Sequence, residues 1–93
     1  MSVEHDEDRG RFFVSLGQEQ ASLSYARRGE VLDFYSVYVP PSHRGRGLAG
    51  RIVIAAFEHA KTKGLKVVPS CPFVSGEFLP RFPQYRSLVA GAV

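Results

Sequence analysis

The feature that most restricts how this chain can fold is the apolar stripe between Leu48 and Ala60. Leu48, Ala49, Ile52, Val53, Ala56, Phe57 and Ala60 recur at the spacing of one helix face, with Arg51, Glu58, Lys61 and Lys63 off it. Ile54 is the one large apolar residue outside the stripe. Lys61 and Lys63 suit the negative end of the helix dipole, and Gly64 is placed to terminate the helix. Such a face must be buried, and the flanking segments are suited to bury it. EVLDFYSVYV precedes it and LKVVPSC follows it, both with strand composition. A strand, a helical crossover and a second strand predict that the two strands run parallel.

Upstream, RFFVSL and QASLSYARR add two further strands. Gly17-Gln18-Glu19 and Arg28-Gly29-Glu30 are short connections, so the first three strands read as an antiparallel meander. Ala21, Leu23 and Tyr25 share one face, opposite Gln20, Ser22 and Ser24. In the third strand, unbroken alternation puts Asp33, Tyr35, Val37 and Val39 on one side and Leu32, Phe34, Ser36 and Tyr38 on the other. Apolar groups on both sides predict a central strand covered on each face. Pro40-Pro41 ends it. The tail has three prolines and predicts one short helix from Val74 to Leu79, ended by Pro80 and Pro83. The predicted order is βββαβα, an α+β fold with a mixed sheet.

Ninety-three residues make one domain, and 44% apolar with 23% charged side chains is a folding composition. Residues 1–10, MSVEHDEDRG, lack periodicity and predict a frayed acidic leader before a domain spanning 11–93. His5 in that leader and His59 on the helix are both expected to be solvated. No metal site is predicted, since no ligand spacing pattern occurs. The single cysteine, Cys71, cannot form an intramolecular disulfide and fits a reducing, cytoplasmic setting. No run is long enough to span a bilayer, so no membrane role is expected. The formal charge of +3 hides an asymmetry: residues 11–93 carry eleven basic and five acidic side chains. That excess attracts polyanions, whether nucleic acid, anionic lipid or a phosphate-bearing cofactor.

The stretch carrying chemistry is Val39-Pro40-Pro41-Ser42-His43-Arg44-Gly45-Arg46-Gly47-Leu48-Ala49, between the longest strand and the helix. Its glycines let main-chain N–H groups approach a ligand closely. The helix start adds unpaired donors and a positive dipole end, and two arginines add charge and forked donors. This is a device for phosphate or pyrophosphate. A Walker loop would need Gly-Lys-Ser/Thr, which Gly47-Leu48-Ala49 lacks. Gly45, Gly47 and Gly50 match a dinucleotide fingerprint formally, but an antiparallel meander precedes them and no second βαβ half follows.

Arg44-Gly45-Arg46-Gly47-Leu48-Ala49 resembles the R/Q-x-x-G-x-G/A signature of the GNAT superfamily, the acyl-CoA-dependent N-acetyltransferases. The flanking strand and amphipathic helix agree, and the resemblance runs from about Phe12 to Leu88. It is closest to very small single-module members whose strand after the motif helix ends in Pro-Ser-Cys, here Pro69-Ser70-Cys71. The chain lacks the leading strand-and-helix pair of larger members. The resemblance implies a minimal GNAT-like fold whose parallel strands splay apart around the pantetheine arm of acetyl-CoA. Main-chain groups of Val37, Tyr38 and Val39 would hold that arm, and the Arg44–Ala49 loop would hold the pyrophosphate. Arg46, Arg81 or Lys61 would meet the remaining phosphate.

Transfer to an amine needs an unprotonated nucleophile, a polarised thioester carbonyl and a proton for the departing thiolate. Cys71, at the end of the parallel strand, is expected beside the acetyl group, as acyl acceptor or as proton carrier. Asp33 stands roughly where larger members of the family hold a general base, and His43 precedes the phosphate loop. Tyr38 and Tyr85 are further candidates to protonate the thiolate. The expected partners are acetyl-CoA and an amine acceptor: a small amine, a polyamine or a protein lysine. Two rivals are a nonenzymatic acyl-CoA-binding module and a small nucleic-acid-binding domain. The latter lacks any RNA-binding signature and has a thin basic patch.

Overall fold

A computed structural model describes residues 2–91. Five strands form one mixed sheet in the order β1-β2-β3-β4-β5: β1 is Glu4–Asp6, β2 Arg11–Leu16, β3 Glu19–Arg28, β4 Val31–Tyr38 and β5 Lys66–Val68. The first four are antiparallel neighbours, and β5 runs parallel to β4, pairing Val31 with Lys66, Leu32 with Val67 and Asp33 with Val68. The crossover is α1, Leu48–Lys63, capped at Gly64 as its glycine suggested. The α+β class and the parallel closing pair follow the expectation from the strand–helix–strand pattern.

The core lies between one sheet face and the helices. Leu48, Ile52, Val53, Ala56, Phe57 and Ala60 of α1 are buried, as the stripe requires. They meet Phe12 and Val14 of β2, Ala21, Leu23 and Tyr25 of β3, and Leu32 and Phe34 of β4. Full burial of such aliphatic and aromatic side chains stabilises the fold by ~1.5–3 kcal/mol each.

Three expectations need correction. The leader is not frayed throughout, because Glu4–Asp6 pairs antiparallel with β2, Glu4 opposite Phe13 and Asp6 opposite Arg11. The reason is His5, which lies stacked on Phe12 with ring centroids 4.0 Å apart. Neither His5 nor His59 is fully solvated; both are half-buried and their rings meet at 4.5 Å.

The second correction concerns β4. Tyr25 pairs with Phe34 but Ser24 pairs with Ser36, so Tyr35 is an extra residue in a β-bulge. Alternation changes phase there. Leu32 and Phe34 point into the core before the bulge, and Val37, opposite buried Leu23, packs against it afterwards with Val39. The outer face is not covered: Tyr35 and Tyr38 are 54% and 49% exposed.

The third lies in the tail. A wide, π-type turn at Val74–Phe78, in which the Leu79 amide donates to the Val74 carbonyl, runs on into α2, Leu79–Arg81. Pro80 therefore sits inside the helical segment rather than ending it. Proline lacks an N–H and crowds the carbonyl four residues earlier, a conflict that a widened turn relieves. Pro83 opens a 3-10 stretch, Pro83–Leu88, instead of stopping helical structure. Phe57 stacks with Phe78 and Tyr85 at 5.5 and 5.1 Å, seating the tail against α1. No helix among the described residues is long and apolar enough to cross a membrane.

Candidate functional site

Beyond Asp33 and Val68 the two parallel strands part. The last link is a hydrogen bond from the Cys71 amide to the Phe34 carbonyl, at 2.9 Å. From there β4 continues to Tyr38 paired only with β3, while the chain after β5 turns away into the π-type turn. The bulge at Tyr35 falls at the same level. A cleft of about 640 Å³ opens between these diverging segments, within the size range of ligand pockets.

Val37, Tyr38 and Val39 form its β4 wall. Its floor is the loop and first turns of α1, with His43, Arg44, Gly45, Gly47, Leu48 and Ala49, then Gly50, Arg51 and Ile54. The far wall is the tail, with Phe73, Glu77, Phe78, Arg81 and Phe82. Ile54, the one large apolar residue off the helix stripe, is thereby explained: it lines the cleft at the edge of the core.

Gly45 and Gly47 have φ of 80° and 75°, a conformation that costs other L-residues ~1–2 kcal/mol. A Cβ at either position would meet nothing within 4 Å, so both backbones face open space. Gly47 is also the N-cap of α1; it supplies no capping side chain, and the first turn holds no acidic residue. Its amides and the positive dipole end are therefore available to an anion. A 3-10 turn at Pro41–His43 precedes the loop. There the Ser42 hydroxyl donates to the Glu19 carboxylate at 3.3 Å, and His43 Nε2 lies 4.0 Å from the same oxygen. Arg44 folds back, its Nε donating to the Val39 carbonyl at 2.9 Å. Arginines 44, 51 and 81 and His43 make the lining basic, with Glu77 its one carboxylate.

Eight of the nine residues expected around a cofactor, Val37, Tyr38, Val39, Arg44, Gly45, Gly47, Leu48 and Ala49, line this cleft; Arg46 is exposed and does not. Of Cys71, Asp33 and His43, only His43 lines it, and of the candidate tyrosines Tyr38 and Tyr85 only Tyr38 does. Cys71 is 6% exposed and packs in the core where the strands part, its carbonyl accepting from the amides of Val74 and Ser75. Asp33 lies before the bulge, beside Val68, with one carboxylate oxygen buried and unpartnered. Tyr85 is turned away from the cleft: its hydroxyl donates to Glu58 of α1 at 2.7 Å, and burial together with that bond raises its pKa to about 12. Of the tail residues only Arg81 was anticipated at the site. Phe73, Glu77 and Arg81 nevertheless recur every four residues, a helical face readable in the tail.

A mixed sheet whose parallel pair opens beside a glycine-capped helix start defines the class of N-acetyltransferase folds. Residues 11–88 match the model of the GCN5-related N-acetyl-transferase family, and the chain belongs to that family. Among its relatives, Protein NATD1 of Gallus gallus is 32% identical over 77 residues, covering 80% of this chain and 70% of that protein. Protein NATD1 of Bos taurus is 32% identical over 88 residues, covering 89% and 77%. A GCN5-like protein of Staphylococcus aureus, solved by NMR, shares the fold with a TM-score of 0.74 at 20% identity, over 99% of this chain and 90% of that one.

Proposed function

We propose that this acetyltransferase-family domain uses acetyl-CoA and acylates an amine, with the cleft between β4 and the tail as the cofactor site. The observation carrying this reading is the parting of β4 from β5 directly above a glycine-capped helix start. The donor set fits coenzyme A: uncapped amides and arginines suit a pyrophosphate, and a strand edge without a partner suits the amide-bearing pantetheine arm. The bound cofactor would supply an activated acyl thioester.

The chain's own residues divide the remaining work. Gly45, Gly47 and the amides of the first α1 turn hold the diphosphate, assisted by Arg44; exposed Arg46 lies at the periphery. Main-chain groups of Val37, Tyr38 and Val39 align the arm, and Phe73, Phe78 and Phe82 exclude water from it. Asp33, outside the cleft lining and with its unpartnered oxygen buried, takes the proton from the incoming ammonium through a water relay. Cys71, at the closed end of the parting, supplies a proton to the departing sulfur. His43 contacts a phosphate rather than the reacting centre, because it belongs to the turn that leads into the loop.

Calorimetric titration with acetyl-CoA, on the wild-type chain and on Gly47→Glu, tests the site. A carboxylate there repels the diphosphate and abolishes binding; equal binding by both chains would mean the site is misplaced. Turnover with a panel of small amines, polyamines and lysine peptides then separates an enzyme from a nonenzymatic acyl-CoA-binding module, which would bind without transfer.

A further inference from the structure

We propose that His5 and His59 form a proton-operated latch that holds the N-terminal strand β1 on the sheet when neutral and releases it when charged. Three elements meet at this point, on the half of α1 away from the cleft. His5 of β1 lies flat on Phe12 of β2, 4.0 Å between centroids with the planes 5° apart. Its Nε2 shares a 2.5 Å hydrogen bond with the Tyr25 hydroxyl of β3. Its ring meets His59 of α1 edge-on at 4.5 Å, and His59 also stands edge-on to Phe12 at 5.5 Å. A strand of only three residues has few ladder bonds of its own, so these side-chain contacts carry much of its attachment.

The contact between the two histidines is the one that charge on both rings opposes. With His5 neutral and its proton on Nδ1, the Tyr25 O–H donates to Nε2; burial raises the Tyr25 pKa, so that proton stays on the phenol. Protonation of Nε2 reverses that bond, the ring N–H then donating to the Tyr25 oxygen, but charging both rings sets two imidazolium groups against each other in a half-buried site. Burial pushes both histidines below their ordinary value, and at His5 the neighbouring His59 adds to the effect. The surrounding charges do not cancel this. Asp6 and Glu7, on β1 and its turn, favour the charged form of His5, and Glu7 that of His59. Lys63 of α1 and Arg27 of β3 oppose charge on His59. Asp6 is partly engaged by Arg9 at 3.9 Å. A group held neutral in the folded state favours attachment above its ordinary titration range. That contribution is lost as pH falls from there through the lowered value, about tenfold in the latch equilibrium for each pH unit between the two.

Nuclear magnetic resonance on the full chain tests the latch at pH 8.0 and 5.5, above the range where carboxylates titrate. At pH 8.0 the wild type should show cross-strand contacts between Glu4 and Phe13 and ring-current-shifted signals from stacked His5 and Phe12. At pH 5.5 both should be lost, while signals of Phe57 in the core stay in place. In His5→Phe, which keeps a stacking ring without a titrating nitrogen, the β1 contacts should persist at both values. His59→Gln should retain part of them at pH 5.5. Wild-type contacts that persist at pH 5.5, or an equal loss in His5→Phe, would overturn the proposal.

Discussion

The amide of Cys71 donates to the carbonyl of Phe34 at 2.9 Å, and this bond marks where β4 and the chain leaving β5 stop pairing. Because it uses the main chain, the bond is open to every side chain but proline at this position. Cys71→Ala therefore isolates the thiol. Removing a small buried side chain should cost about 1–2 kcal/mol in urea unfolding. Acetyl-CoA affinity should stay at the wild-type value, and transfer to the best amine should fall at least tenfold. Unchanged transfer would leave Cys71 as core packing only.

Arg44 is placed to act twice. Its Nε holds the Val39 carbonyl, which ties the start of the phosphate loop to the end of β4, and its fork remains beside the cleft. Arg44→Ala should weaken acetyl-CoA binding about tenfold, the equivalent of one charge-assisted hydrogen bond. Arg44→Lys keeps the charge but cannot hold Val39 and present a fork together, so it should recover only part of the loss. Titration of both variants against acetyl-CoA, with unfolding midpoints as control, checks this.

Much of the molecule was legible because it rests on periodicity and punctuation. The α1 stripe, the two hairpins, the parallel closing pair and the glycine loop all carry local signals. What escaped depends on contacts distant in sequence. The bulge at Tyr35 has no glycine or proline to announce it, and only the register against Ser24 and Tyr25 reveals the change of phase. Strand β1 is polar and charged; it pairs because His5 finds Phe12, Tyr25 and His59 waiting. The far wall of the cleft was hidden by Pro80, which reads as a helix end until the π-type turn makes room for it.

Gly10 closes the turn that brings β1 back to β2. Its carbonyl accepts from the Tyr25 amide at 2.8 Å, and a Cβ built on it would stand 2.5 Å from the Tyr25 carbonyl oxygen. That oxygen belongs to the sheet backbone and cannot step aside. Gly10→Ala should destabilise the chain by about 2 kcal/mol, the left-handed conformation adding to the clash. The loss should appear in urea unfolding, accompanied by loss of β1 contacts in NMR spectra. Acetyl-CoA affinity should be unaffected, because the turn lies outside the cleft.

The hydroxyl of Tyr85 donates to Glu58 at 2.7 Å and joins the 3-10 stretch of the tail to α1. Tyr85→Phe keeps the stacking on Phe57 but removes the bond, at a cost of about 1–2 kcal/mol. The same bond has a signature in alkali. Burial and the Glu58 carboxylate raise the phenol from 10.0 to about 12, so the folded state holds its proton more tightly than the unfolded state. That contribution is fully present below pH 10 and disappears as pH rises through about 12. Wild-type stability should therefore fall more steeply than that of Tyr85→Phe between pH 10 and 12, and the two should converge above it. A variant with wild-type stability at neutral pH and the same alkaline slope would show that the Glu58 bond contributes nothing. Turnover at neutral pH should be retained in Tyr85→Phe, since a hydroxyl committed to α1 is not placed to protonate a leaving thiolate in the cleft.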